Sequence, residues 1–142
     1  MYDKQVKKLI ERGKIKIIDL PSKRREMREN QILLLRDDWI NLKLLLEKDR
    51  IRGTYIHAFN ALERIIDIIL IENGYQAKDR YARRILVREI LGEEFLEEYD
   101  KLFDKRKDSM YDVYGVLSED DVREIIDNVL PELLDKAKVV LE

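Results

Sequence analysis

Cysteine is absent from the 142 residues and histidine occurs once, at His57. Without thiols there is no disulfide, no thiolate nucleophile and no cysteine zinc site, and a single imidazole does not build a histidine-based metal cluster. Neither a metal nor a cofactor is expected. Glycine (five) and proline (two) are scarce as well, which leaves little material for the many tight turns of an all-β fold. Long apolar runs are missing too: no stretch approaches the roughly 18 residues of a membrane span. Lys4, Lys7, Lys8, Glu11 and Arg12 interrupt the opening segment, where a secretory leader would carry its apolar core. The expectation is a soluble, cytoplasmic chain without membrane contact. Neither sign of charge dominates, and the formal net charge of −2 argues against a general coat for polyanions while allowing a local basic patch.

What is present points to helices. Hydrophobic residues make up 45% and charged residues 41% of a chain long enough for one core and too short for two. We expect a single domain over 1–142, all-α, an up-and-down bundle of about five to six helices. Val6, Leu9 and Ile10 predict a short helix over 3–12, ended by Gly13, and 14–20 reads as an extended connector, so that 1–21 packs on the bundle as helix and connector. From 23 to 48 the chain is helix-compatible, with Ile32, Leu35, Trp39, Leu42 and Leu46 in one apolar stripe. Its first turns carry Lys23, Arg24, Arg25 and Arg28, a placement that opposes the helix dipole, so this end frays or meets an anion.

Thr54 after Gly53 is the expected cap of a central helix reaching Asn73. Ile65, Ile66, Ile68, Ile69, Leu70 and Ile71 leave that helix almost no wet face, which requires cover from other helices or from a second chain. Along one line it presents Asn60, Glu63, Arg64 and Asp67 at steps of three and four: a paired network, or one wall of a cleft. Next come a basic helix over 78–91, with Arg80, Arg84 and Arg88 on one face beside Arg83, and an amphipathic helix over 93–110. After a loop at 113–118, Ser118 with Glu119, Asp120 and Asp121 caps a last helix, which Pro131 should kink without ending before the C-terminus.

Chemistry concentrates in Lys105-Arg106-Lys107-Asp108-Ser109-Met110-Tyr111-Asp112-Val113-Tyr114-Gly115. At helical spacing Arg106, Tyr111 and Tyr114 set a permanent cation and two phenols on one side of the chain, equipment suited to phosphates. The plainer reading is a salt-bridged helix end with half-buried tyrosines. Arg80, Arg84 and Arg88 carry the same pair of readings, phosphate contacts or a solvated face paired with glutamates.

The order of elements resembles the HEPN superfamily of small helical-bundle proteins. The likeness spans about 22–142 and rests on Ala58-Phe59-Asn60-Ala61, Glu72-Asn73-Gly74-Tyr75, the basic helix and the Arg106 motif. It implies a homodimer. Active members pair an arginine with a histidine four to six positions on, and here Arg106 fits the arginine while Tyr111 stands in the histidine's place. Arg106, Asp108 and Tyr111 also resemble the arginine, acid and tyrosine pattern of members without the histidine. The reaction that the resemblance implies is metal-free attack of a ribose 2′-OH on the adjacent phosphorus. A phenol titrates near 10, so Tyr111 donates a hydrogen bond at neutral pH and serves poorly as a base.

The leading expectation is therefore a dimeric RNA- or nucleotide-binding domain with weak or no catalysis. Arg106, Asp108 and Tyr111 hold the motif positions, and Arg80, Arg84, Arg88, Tyr114, Asn60 and Glu63 support binding. Two alternatives stand beside it. One is a metal-independent endoribonuclease toxin, for which the resemblance implies a minimal nucleotidyltransferase antitoxin as partner. The other is a structural dimeric adaptor. His57, alone near a helix start, reads as a packing or capping residue before a catalytic one.

Overall fold

A computed structural model describes residues 3–111 and 117–141, and of 108–111 the backbone alone. The architecture is an all-α helical bundle with one short two-stranded ribbon at its side. α1 (Lys4–Glu11) starts where Asp3 accepts a hydrogen bond from the Gln5 amide, and it buries Val6 and Leu9. β1 (Ile15–Ile17) pairs antiparallel with β2 (Tyr75–Ala77), Ile15 opposite Ala77 and Ile17 opposite Tyr75. The connector expected at 14–20 is thus partly a strand, and its partner lies about 60 residues along the chain.

α2 (Pro21–Glu47) begins two residues earlier than the sequence suggested, because Pro21 occupies the first helical turn, where its missing N–H costs nothing. Leu35 and Leu42 are buried, with Ile32, Trp39 and Leu46 packed beside them, as the stripe predicts. Two of the arginines at its start neither fray nor wait for an anion. Arg24 donates to the Ile18 carbonyl at 2.6 Å. Arg28 reaches Glu72 at 2.6 Å and the carbonyls of Ala137 and Lys138 at 3.4 and 3.5 Å. Those acceptors lie at helix C-termini, the negative ends that favour a cation.

α3 (Ile51–Glu72) is the axis of the bundle. Thr54 is not its cap: it sits fully buried in the first turn, with its hydroxyl turned back to the Arg50 carbonyl at 2.7 Å. From Ile65 to Ile71 the six apolar side chains are at most 5% exposed. Elements of the same chain (α2, α4, α5, β2 and the C-terminal helices) pack against α3, so this helix needs no second copy to cover it.

α4 (Arg80–Leu91) is capped by Asp79, whose carboxylate accepts from the Ala82 amide at 2.8 Å, and α5 (Glu93–Tyr111) follows after Gly92. Ser118 and Asp121 form the reciprocal capping box that opens α6 (Glu119–Arg123). Helical backbone continues through a π-helical stretch, Glu124–Val129, into α7 (Leu130–Ala137). The wider turns lie just before Pro131, whose ring lacks the N–H that an α-helical ladder would use. Contrary to expectation, helix does not persist to the C-terminus: Lys138 turns left-handed (φ 55°) and ends it.

Candidate functional site

α5 is written with Tyr99, Phe103 and Arg106 at steps of four and three, so all three face one way, toward α3 and α4. Phe59 of α3 meets them: its ring stacks 5.9 Å from Tyr99 and tilts 6.0 Å from Phe103. Two guanidinium groups lie on this three-ring cluster. Arg80, at the start of α4, is 3.5 Å from the Phe103 ring and 5.9 Å from that of Tyr99, and Arg106 is 5.5 Å from Phe59. Two arginines from different helices thus share one aromatic seat.

Beside the cluster opens a cleft of about 370 Å³ lined by Glu63, Ala77, Lys78, Asp79, Arg80, Arg83 and Tyr99. Tyr99 donates to both oxygens of Glu63, at 2.9 and 3.1 Å, and Arg83 bridges Glu63 to Asp67, which it reaches at 2.9 Å. Burial, with the neighbouring Glu63, pushes the Tyr99 phenol above its ordinary range, so it donates at neutral pH. Burial also pushes Asp67 up to about 6, with Glu63 adding to the rise and Arg83 and Arg64 opposing it. The polar line read along the central helix is therefore largely a paired network, and at Glu63 it is a cleft wall as well.

Of the three arginines expected to act together, Arg80 and Arg84 share Asp100 and Arg88 is drawn elsewhere. Arg84 clamps Asp100 with two bonds of 2.9 and 2.7 Å and, chiefly through them, holds that carboxyl below its usual range. Arg80 reaches the same carboxylate only at 3.5 Å. Arg88 turns to the N-terminal segment, bonding Gln5 and lying 3.6 Å from Asp3. Among them Arg80 alone lines the cleft. Asn60 is half-buried, one residue past Phe59. The side chains of Asp108 and Tyr111, and all of Tyr114, lie outside the described residues. His57 approaches Asp38 of α2 at 3.6 Å, on the side of α3 turned from Phe59.

Sequence reasoning did not single out Phe103, Tyr99 or Asp100 as site residues. The spacing of 99, 103 and 106 could have raised the first two, whereas Asp100 gains its role only from packing across helices. Among the described residues no cluster of three or more His, Cys, Asp or Glu is arranged to hold a metal ion, and no helix is long and apolar enough to cross a membrane. No protein-family model, curated protein or solved structure matches this chain.

Proposed function

We propose that this chain binds RNA or a nucleotide through its phosphates on the face where α3, α4 and α5 converge, with Arg106 and Arg80 as phosphate contacts. In this reading it works as a homodimer and cleaves its ligand weakly or not at all. The observation that carries the reading is the common seat of the two guanidinium groups on Phe59, Tyr99 and Phe103. A guanidinium seated over a ring by cation–π attraction still carries its N–H donors in a fixed planar fork, of which an oxyanion can take two at once. Carboxylates near the cleft are already held. Glu63 accepts from Tyr99 and Arg83, Asp79 caps α4, and Asp100 binds Arg84. Their charge is offset locally, Arg80 sharing Asp100 with Arg84, and Lys78 and Arg80 stand as cations on the cleft rim beside Asp79.

Weak or absent cleavage follows from the phenols. Tyr99 is a donor at neutral pH, and a tyrosine at position 111 is a poor general base. Fluorescence anisotropy with a labelled unstructured RNA, and competition by a mononucleotide, tests the reading. Arg80→Ala and Arg106→Ala are each expected to weaken RNA binding about tenfold and to lower the salt slope by roughly 0.7 per lost phosphate contact. A wild-type chain that binds neither ligand overturns the proposal. Products ending in 2′,3′-cyclic phosphate, formed in EDTA and lost in Arg106→Ala, would replace it with the endoribonuclease and make the minimal nucleotidyltransferase partner the next question.

A further inference from the structure

The buried side of α4 is complete. Ala82, Leu86 and Val87 are fully enclosed and Ile85 nearly so. At helical spacing Arg80, Tyr81, Arg84 and Arg88 then fall within an arc of about 100° on the outward side. Three of these four are guanidinium groups, each held by a neighbour: Arg80 over the Phe103 ring, Arg84 on Asp100, Arg88 on Gln5. Tyr81 is the fourth, and nothing holds it. It is 52% exposed and belongs neither to the core nor to the apolar layer packed against it. Among the described residues its ring meets no other ring and its hydroxyl has no hydrogen-bond partner. Of the seven exposed large hydrophobic side chains on the described residues, the other six are aliphatic and none of them is on α4.

A lone exposed tyrosine needs no explanation by itself, and it is the setting that gives this one a role. It follows Arg80, the phosphate contact at the cleft rim, and Arg84 stands one turn further along the same face. We infer that Tyr81 is a base-stacking platform: an unpaired RNA strand with a phosphate at Arg80 lays the adjoining base on the Tyr81 ring. Aromatic rings set among cations are how proteins hold single strands without reading their sequence, because every base has a π-face to offer. In a duplex those faces are already stacked on one another, so the ligand is a single strand or an unpaired loop. The surroundings favour this occupant over a protein. An aromatic anchor in a protein interface sits in a packed pocket with neighbours that exclude water, whereas the neighbours of Tyr81 on this face are guanidinium groups. The inference rests on the RNA reading of the proposed function and adds to its phosphate contacts a residue that takes the base.

Fluorescence anisotropy of the full chain tests it, with three labelled probes: an unstructured RNA, an abasic strand of the same length, and the RNA annealed to its complement. Tyr81→Ala is expected to bind the unstructured RNA about tenfold more weakly than the wild type, and Tyr81→Phe, which keeps the ring, to bind it equally well. On the abasic strand and on the duplex, Tyr81→Ala and the wild type should not differ. Because Tyr81 lies outside the core, circular dichroism and urea unfolding of the variant should match the wild type. A Tyr81→Ala chain that binds the unstructured RNA as tightly as the wild type overturns the inference, and if Arg80→Ala is still weakened the phosphate contacts stand. An equal loss on the abasic strand overturns it too, as does a Tyr81→Phe chain as weak as Tyr81→Ala, which would assign the hydroxyl in place of the ring. A wild type that binds a mononucleotide and no RNA overturns the inference alone, and one that binds neither overturns the proposed function with it.

Discussion

The Arg80 guanidinium lies over Phe103, 3.5 Å from the ring centre, and this cation–π contact gives an otherwise exposed side chain at the cleft rim a defined position. Replacing Phe103 by Leu keeps an apolar side chain and removes the π-face. We expect Phe103→Leu to lose about 1 kcal/mol of stability in urea unfolding and to weaken RNA binding several-fold. Arg80→Lys should leave the fold intact and still bind RNA less well, because a point ammonium neither stacks nor forks as a guanidinium does.

Asp67 gives the fold a pH dependence of unusual sign. Its folded pKa of about 6 lies above the ordinary carboxyl value of 3.8. Between these the native state holds the extra proton, so this group's contribution to stability falls as pH rises through the window from about 4 to 6, then levels off. Asp100 and Asp121, held below their usual range, act the other way and at lower pH, where their contribution is lost as they protonate. Urea unfolding at several pH values should show Asp67→Asn lacking the loss that the wild type suffers from pH 4 to 6. Parallel profiles for the two proteins would contradict this account.

Arg28 joins the start of α2 to the ends of α3 and α7 through Glu72 and the carbonyls of Ala137 and Lys138. All of these groups are partly solvated, so the tie is of modest strength. Arg28→Ala is expected to cost about 1–2 kcal/mol by equilibrium unfolding, and Arg28→Lys to recover part of that. Hydrogen exchange should speed first at the C-terminal turn of α7.

Gly74 and Gly13 both hold positive φ, 88° and 72°. At Gly13 a methyl group meets nothing within 4 Å, whereas at Gly74 it would come within 2.8 Å of an Arg24 guanidinium nitrogen. Gly13→Ala should cost about 1 kcal/mol from backbone strain alone. Gly74→Ala should cost more in the same unfolding assay, since the side chain bonded to Ile18 must also shift.

Helical bundle architecture was legible because the apolar positions of α2 and the cap at Ser118 are local signals, complete within one or two turns. The ribbon was not. Its strands have three residues each, too few for a period, and they pair across nearly the whole first half of the chain. Thr54 misled because a buried threonine bonding back within a helix has the same sequence signature as a cap. At the candidate site, spacing could place Arg80, Arg84 and Arg88 on one face, but it could not assign their partners. Asp100, shared by Arg84 and Arg80, and Asp3, which takes Arg88, come from other elements, and only packing decides which arginines each receives.

The π-helical stretch at Glu124–Val129 amounts to a spare residue stored in the last helix. Elsewhere in a helix, removing one residue swings every later side chain by about 100° and pulls the buried face out of register. Within 124–129 the same deletion would leave Leu130, Leu133 and Ala137, all buried, on the side they now occupy, and its cost would be that of setting Pro131 into a regular α-helical ladder. The register of the C-terminal helix therefore survives a change in length in one place and one direction, and Pro131 sets what that change costs.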